Sequence, residues 1–127
     1  MDADGVQRVG SHAVQTWLPQ PADWAPQTVE AQQADPTSML ALYRAALATR
    51  RAAPALRGGT LSWLDTPPGV LAFGRTGDAG GPDVVVAVNL SDQAVPAPPG
   101  RALLASDPAA PAGTLPPDAA VWVRPQR

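Results

Sequence analysis

The sequence predicts a mainly β fold, in which one helix precedes a small antiparallel β-sandwich. Between Met39 and Leu47, apolar residues recur at the three- and four-residue spacing of an amphipathic helix. From residue 60 onward, short β-branched or aromatic runs alternate with segments rich in Pro and Gly. The chain has sixteen Pro and eleven Gly, which lie mainly between these runs and therefore favour many turns over a disordered tract.

The chain is predicted to have three parts. Residues 1–16 show neither helical nor strand periodicity and are expected to form a flexible arm. Residues 17–54 join a loop rich in Pro and Trp to a helix over about residues 36–53. Residues 55–127 are predicted to be the antiparallel β-sandwich.

The helix has clear start and stop signals. Asp35 is expected to cap its first turn, with Pro36 at the first helical position, where a missing N–H costs little. Pro54 is expected to end it, because the residue before a proline disfavours the α conformation. Its apolar stripe consists of Met39, Leu40, Tyr43, Ala46 and Leu47. Such a stripe needs a surface that buries it, and either the β module or a separate domain would serve.

Six segments are candidate strands: 60–64, 70–74, 84–90, 94–97, 102–105 and 120–123. The run V-V-V-A-V-N-L at 84–90 is rich in β-branched residues and predicts a central strand that is buried on both faces.

Composition excludes several classes of function. The net charge of −2 and the absence of Lys give no basic patch for nucleic acid and no basic face for a membrane surface. The absence of Cys excludes disulfides and thiolate sites. The N-terminus lacks the apolar region of a signal peptide, and no apolar run approaches the ~20 residues of a membrane span. We therefore expect a cytoplasmic protein.

Residues suited to catalysis are scarce. His12 is the only histidine, and no serine stands in a G-x-S-x-G setting. Glu30 is the only glutamate and is expected to be solvated. The remaining carboxylates near loops are expected to be turn or cap residues: Asp23, Asp35, Asp78, Asp83, Asp107 and Asp118. The Gly-rich loop at 76–82 lacks the spacing of a phosphate-binding loop. The sequence thus predicts no catalytic, cofactor-binding or metal-binding residue.

Four tryptophans are the remaining candidates, since an indole ring can stack on a sugar. Trp63 and Trp122 lie in strand patterns and are predicted to be core residues. Trp17 and Trp24 bracket a proline-rich loop, where packing is again the favoured interpretation. Five residues are nevertheless the candidates for contact with a sugar or a protein partner: Trp17, Trp24, Met39, Tyr43 and Leu47.

Several motifs extend this reading. W-L-P-Q-P-A-D-W at 17–24 and D-P-T-S-M-L-A-L-Y-R at 35–44 are followed by V-L-A-F-G-R, V-V-V-A-V-N-L-S and L-P-P-D-A-A-V-W-V. Residues 17–124 thereby resemble the C-terminal part of bacterial α-glucosidases of the α-amylase superfamily, glycoside hydrolase family 13. The resemblance implies that the helix is the last outer helix of a TIM barrel and that a β domain covering the barrel follows.

The resemblance also implies what the chain lacks. The family's catalytic aspartate and glutamate lie upstream of this segment, so no catalytic residue is carried over, and a whole barrel needs ~200 residues or more. We expect a structural fragment that is inactive alone, the product of a truncated or mis-started gene. The alternatives are a stand-alone carbohydrate-binding or interaction module, and a subunit that complements a separate barrel. The expected partners are such a barrel or a second copy, through the helix stripe.

Overall fold

The computed structural model describes residues 6–9, 12–15, 17–77, 83–110 and 112–126. The chain divides into two compact units, Met1–Tyr43 and Arg44–Arg127. The three-part division predicted from the sequence, with a boundary at residues 54 and 55, remains a prediction.

The first unit begins with two short strands. β1 (Val6–Val9) pairs antiparallel with β2 (His12–Gln15) in a register that sets Val6 opposite Gln15. The sequence predicts an arm without regular structure here, and that prediction is wrong for these eight residues. Four-residue strands are too short for periodicity to reveal, but the Gly-Ser pair between them is typical of two-residue hairpin connections.

Two short helical segments follow the loop at residues 17–21. A 3₁₀ helix spans Ala22–Gln27 and contains Pro26, which is tolerated because the segment is brief. Helix α1 spans Val29–Gln33 and is capped by Thr28, whose hydroxyl accepts from the Ala31 N–H at 3.3 Å.

The longest helix, α2 (Met39–Ala52), begins three residues later than predicted. The Asp35 carboxylate instead closes a turn by accepting from the Thr37 N–H at 2.8 Å and the Thr37 hydroxyl at 2.7 Å. Ser38 is the residue that caps α2, since its buried hydroxyl accepts from the Ala41 N–H at 3.2 Å. The prediction failed because Asp35 and Ser38 are both suited to cap a helix. The Asp35 side chain bonds within the preceding turn, so Ser38 is left to cap α2.

Gln32 joins α1 to the start of α2. Its side-chain oxygen accepts from the Leu40 N–H at 2.9 Å, and its side-chain nitrogen donates to the Gln27 carbonyl at 2.8 Å. The Ser38 hydroxyl in turn donates to the Gln32 main-chain carbonyl at 2.8 Å. These bonds satisfy main-chain groups that helix ends would otherwise leave unpaired.

Pro54 ends α2 as predicted, and it also begins a one-turn helix, α3 (Pro54–Arg57). A proline fits there because the first helical position needs no N–H donor. Arg75 holds α3 to the sheet, since its Nε donates to the Ala55 carbonyl at 3.1 Å and its Nη2 to the Gly58 carbonyl at 2.7 Å. Gly59 then turns the chain with φ +81°, where a Cβ would collide with the Thr76 main-chain carbonyl oxygen.

The second unit is built on a five-stranded antiparallel sheet. Its strands are β3 (Thr60–Trp63), β4 (Val70–Thr76), β5 (Val84–Asn89), β7 (Arg101–Ala105) and β9 (Ala120–Arg124). They are ordered β3-β4-β5-β9-β7, and every pairing is antiparallel. β5 is the central strand and its residues 84–87 are all buried, as the sequence predicts.

Each face of the sheet carries its own small core. On one face, a two-stranded ribbon of β6 (Val95–Pro96) and β8 (Thr114–Leu115) packs on Ala72, Ala87 and Val121. On the other face, Ala53 and Leu56 pack with Val84, Val86, Phe73, Leu103 and Trp122. The predicted antiparallel β fold is confirmed, with a second layer reduced to the β6–β8 ribbon.

Asn89 fixes the turn that follows the central strand. Its side chain is fully buried and its amide nitrogen donates to the Gln93 carbonyl at 2.7 Å and the Leu115 carbonyl at 3.0 Å. Its amide oxygen accepts from both the N–H and the hydroxyl of Ser91, at 3.0 and 2.7 Å. All four bonding positions of the amide are therefore used, which offsets the cost of burying it.

Candidate functional site

Helix α2 presents an unusual apolar stripe. Met39, Tyr43 and Leu47 follow one another at four-residue spacing, and their exposed fractions are 61, 65 and 48%. Two further members of the predicted stripe, Leu40 and Ala46, are half-buried. No residue of this fourteen-residue helix is buried. Since packing of an apolar face supplies most of the stability of a helix in a protein, α2 carries more apolar surface than the described chain covers.

The two tryptophans of the proline-rich loop are also exposed. Trp17 is 94% exposed and Trp24, in the 3₁₀ helix, is 48% exposed. Their rings are accessible, so the favoured interpretation of packing does not describe them in this chain. The assignment of Trp17, Trp24, Met39, Tyr43 and Leu47 as contact residues stays a prediction.

The two strand tryptophans differ from each other. Trp122 in β9 is half-buried against the core formed by Ala53, Val84 and Val86, as predicted. Trp63 in β3 is 67% exposed, so the prediction that it is a core residue is wrong. Its ring packs edge-to-face on Phe73, with centroids 5.7 Å apart. The reason is positional, because β3 is an edge strand and nothing lies beyond Trp63 on that side of the described sheet.

Several of the carboxylates that the sequence singles out lie in turns or loops and accept hydrogen bonds there. Asp107 accepts from the Ala109 N–H at 3.0 Å, and Asp83 accepts from the Gly77 N–H at 2.8 Å. Asp118 adopts φ 55°, a turn conformation that Asp tolerates better than most residues. Glu30 is exposed in the first turn of α1. Asp78 lies outside the described residues.

The carboxyl group of Asp35 has a shifted pKa. The hydrogen bond from the Thr37 hydroxyl, with that from the Thr37 N–H, lowers the pKa of Asp35 below its ordinary 3.8. Both bonds favour the ionised form, because a carboxylate accepts them more strongly than a carboxylic acid does. This shift belongs to a solvent-exposed turn before α2, which is a structural role.

Residues 56–122, more than half of the chain, match the DUF3459 family, described as a domain of unknown function. The chain belongs to the DUF3459 family. The match begins in α3 and runs through the five-stranded sheet into β9.

This DUF3459 chain is similar to larger proteins. It is 36% identical over 85 residues to a protein of Rhizobium meliloti strain 1021 that is named "Probable alpha-glucosidase". It is 33% identical to the crystal structure of an α-glucosyl transfer enzyme, XgtA, with a TM-score of 0.60 over 87% of this chain. The α-amylase from H. orenii shares the fold, with a TM-score of 0.63 over 92% of this chain at 21% identity.

The DUF3459 chain spans only a small part of each relative. The matched part is 15% of the Rhizobium meliloti protein, 22% of XgtA and 26% of the H. orenii α-amylase. The resemblance to α-glucosidases of the α-amylase superfamily is thereby confirmed, and so is the interpretation that the chain corresponds to a portion of such an enzyme. Among the helices that the structure describes, none has the length and hydropathy needed to cross a bilayer.

Proposed function

We propose that this chain is the C-terminal structural part of an α-glucosidase-type glycoside hydrolase, in which α2 packs on the catalytic barrel and the β module stabilises it. In this function the chain supplies no catalytic group, and the acid–base chemistry resides in the barrel. The observation that carries the proposal is the stripe of Met39, Tyr43 and Leu47 on a helix that has no buried residue.

The chemistry of the stripe favours a protein surface as its partner. Its three side chains offer apolar area and one phenolic hydroxyl, whereas a sugar site needs several polar groups that converge on the ring hydroxyls. Exposed apolar patches of this kind usually mark contacts with other proteins or domains. The relatives, of which the chain matches about a quarter or less, contain a much larger body that would supply this surface.

The test is co-purification with the rest of such an enzyme. The Rhizobium meliloti relative, without the stretch that matches this chain, is co-expressed with the tagged chain. The unaltered chain is expected to capture it. Leu47→Asp places a charge in the apolar stripe and is expected to abolish capture, because burying an unpaired carboxylate costs several kcal/mol.

Ala45→Asp is the matched control. Ala45 is exposed on α2 about 200° around the helix from Tyr43, so the same charge there lies away from the stripe. It is expected to leave capture unchanged. Equal capture by the unaltered chain and Leu47→Asp contradicts the proposal, as does equal loss in Leu47→Asp and Ala45→Asp.

A further inference from the structure

Strand β3 (Thr60–Trp63) is an edge of the five-stranded sheet to which no further described strand is paired. Its one neighbour among the described strands is β4, and all four of its residues are exposed. It contains no proline and no charged residue, which are the usual devices that keep edge strands from pairing. The opposite edge, β7, has both a charge at Arg101 and an irregular register between Ala102 and Leu104.

The hydrogen bonds of β4 show which groups of β3 face the free edge. The Leu64 N–H donates to the Ala72 carbonyl at 3.0 Å. Bonded and non-bonded pairs alternate along an antiparallel ladder, so Ser62 also bonds toward β4. The main-chain N–H and C=O groups of Leu61 and Trp63 therefore point away from β4, toward the edge.

We propose that β3 pairs antiparallel with β3 of a second copy of this chain, about a two-fold axis at Ser62. In this register Leu61 of each copy lies opposite Trp63 of the other. Both residues have outward-facing main-chain groups, so each pair exchanges two hydrogen bonds. The apolar side chains of the pair share one sheet face, and aromatic–aliphatic pairs of this kind stabilise paired strands.

An alternative register, with the two-fold axis at Leu61, forms fewer hydrogen bonds. It sets Trp63 opposite Gly59, whose φ of +81° takes it out of the extended strand. Only the pairing of Leu61 with Leu61 of the second copy would then form, which gives half as many hydrogen bonds as the register about Ser62. The axis at Ser62 is therefore the register that uses the edge fully.

The charges at the two ends of β3 favour a second copy as the occupant. Arg57 precedes the strand and Asp65 follows it, and both are exposed. Antiparallel pairing brings the Arg57 end of one copy to the Asp65 end of the other, and symmetry repeats this attraction at the second end. The neutral strand between them carries no like charges that would oppose the pairing.

Disulfide trapping tests the proposal, since the natural chain contains no cysteine. At the axis, the two Ser62 residues form a non-hydrogen-bonded pair with Cα atoms about 4.5 Å apart, within the range of about 4.4–6.8 Å for a disulfide. Ser62→Cys is therefore expected to give a covalent dimer of doubled mass under mild oxidation by oxidised glutathione. Thr60→Cys is the matched control, because its two Cα atoms would lie roughly 13 Å apart.

Two further substitutions, each made in the Ser62→Cys chain, distinguish pairing through the strand edge from association through the sheet face. Leu61→Pro removes an outward N–H that β4 does not use, so the sheet is retained while cross-linking is expected to be lost. Leu71→Lys alters an exposed residue of β4 on the same face and is expected to leave cross-linking unchanged. Circular dichroism confirms the folding of each variant.

Three results overturn the proposal. The first is absence of a covalent dimer from Ser62→Cys, and the second is an equal yield from Ser62→Cys and Thr60→Cys. The third is loss of cross-linking with Leu71→Lys alone, which would assign the association to the sheet face. The pairing uses β3 only, so its failure leaves the proposed contact of α2 untouched.

Discussion

At the scale of single residues, the burial and the hydrogen-bond partners of a side chain depend on tertiary packing. Asn89 stands at the end of a valine-rich run, and its local sequence does not mark it as fully buried. One of its partners, the Leu115 carbonyl, lies 26 residues away, so the bond depends on how β8 packs. Trp63 and Trp122 likewise have similar strand contexts, but Trp63 is exposed and Trp122 is half-buried, because one is on an edge strand and the other on an inner strand. Local patterns carry no information about strand order.

Asp35 leads to a prediction about pH. Its folded-state pKa lies below the ordinary 3.8, so the ionised form contributes stability that is present above about pH 4 and is lost as the pH falls through the folded-state pKa. Asp35→Asn, which accepts the same bonds without a charge, is expected to be less stable than the unaltered chain at neutral pH. The difference should vanish in strong acid.

Thermal unfolding of both chains across this pH range measures the difference, and NMR titration of the Asp35 carboxyl measures its pKa. Thr37→Val is the control, since it removes the hydroxyl donor and leaves the N–H donor. The pKa of Asp35 is expected to rise toward its ordinary value in Thr37→Val. A stability difference that persists unchanged below the folded-state pKa would contradict this account.

The sequence predicts some of the helices and strands and misses others. The strands β4, β5 and β9 follow from short runs of β-branched, aromatic or other apolar residues, and α2 follows from its stripe. The two-residue strand β8 and the one-turn helix α3 carry too few residues for any periodicity, so only their packing reveals them. The start of α2 shifted because Asp35 and Ser38 are both good caps, and side-chain hydrogen bonds with Gln32 decide between them.

Ser38 provides a test at the scale of the helix. Ser38→Ala removes both the cap on the Ala41 N–H and the bond to the Gln32 carbonyl, and it is expected to cost about 1 kcal/mol of stability. Ser38→Asp retains an acceptor for the Ala41 N–H next to the positive end of the helix dipole, and it is expected to recover most of the loss. Denaturation followed by helical circular dichroism measures both. If the two variants lose equal stability, the hydroxyl does not act as the cap.

At the scale of the whole molecule, the sequence indicates the resemblance to a family, whereas the proposed function depends on which apolar surfaces are exposed. The motifs at 17–24 and 35–44 indicate a resemblance to α-glucosidases of the α-amylase superfamily, and the similar proteins confirm that resemblance. Periodicity shows that α2 has an apolar stripe but not whether the chain itself covers that stripe. The structure adds the observation on which the proposal rests, which is that Met39, Tyr43 and Leu47 are all exposed.

Amide hydrogen exchange of α2 tests the central claim most directly. In the isolated chain we expect fast exchange over Met39–Ala52, because no residue of this helix is buried. Co-expression with the remainder of the Rhizobium meliloti relative is expected to slow exchange there by at least about tenfold, equivalent to 1.4 kcal/mol or more of added local stability. Leu47→Asp should abolish this protection. Slow exchange of α2 in the isolated chain, or an unchanged rate in the presence of the remainder, would contradict the account.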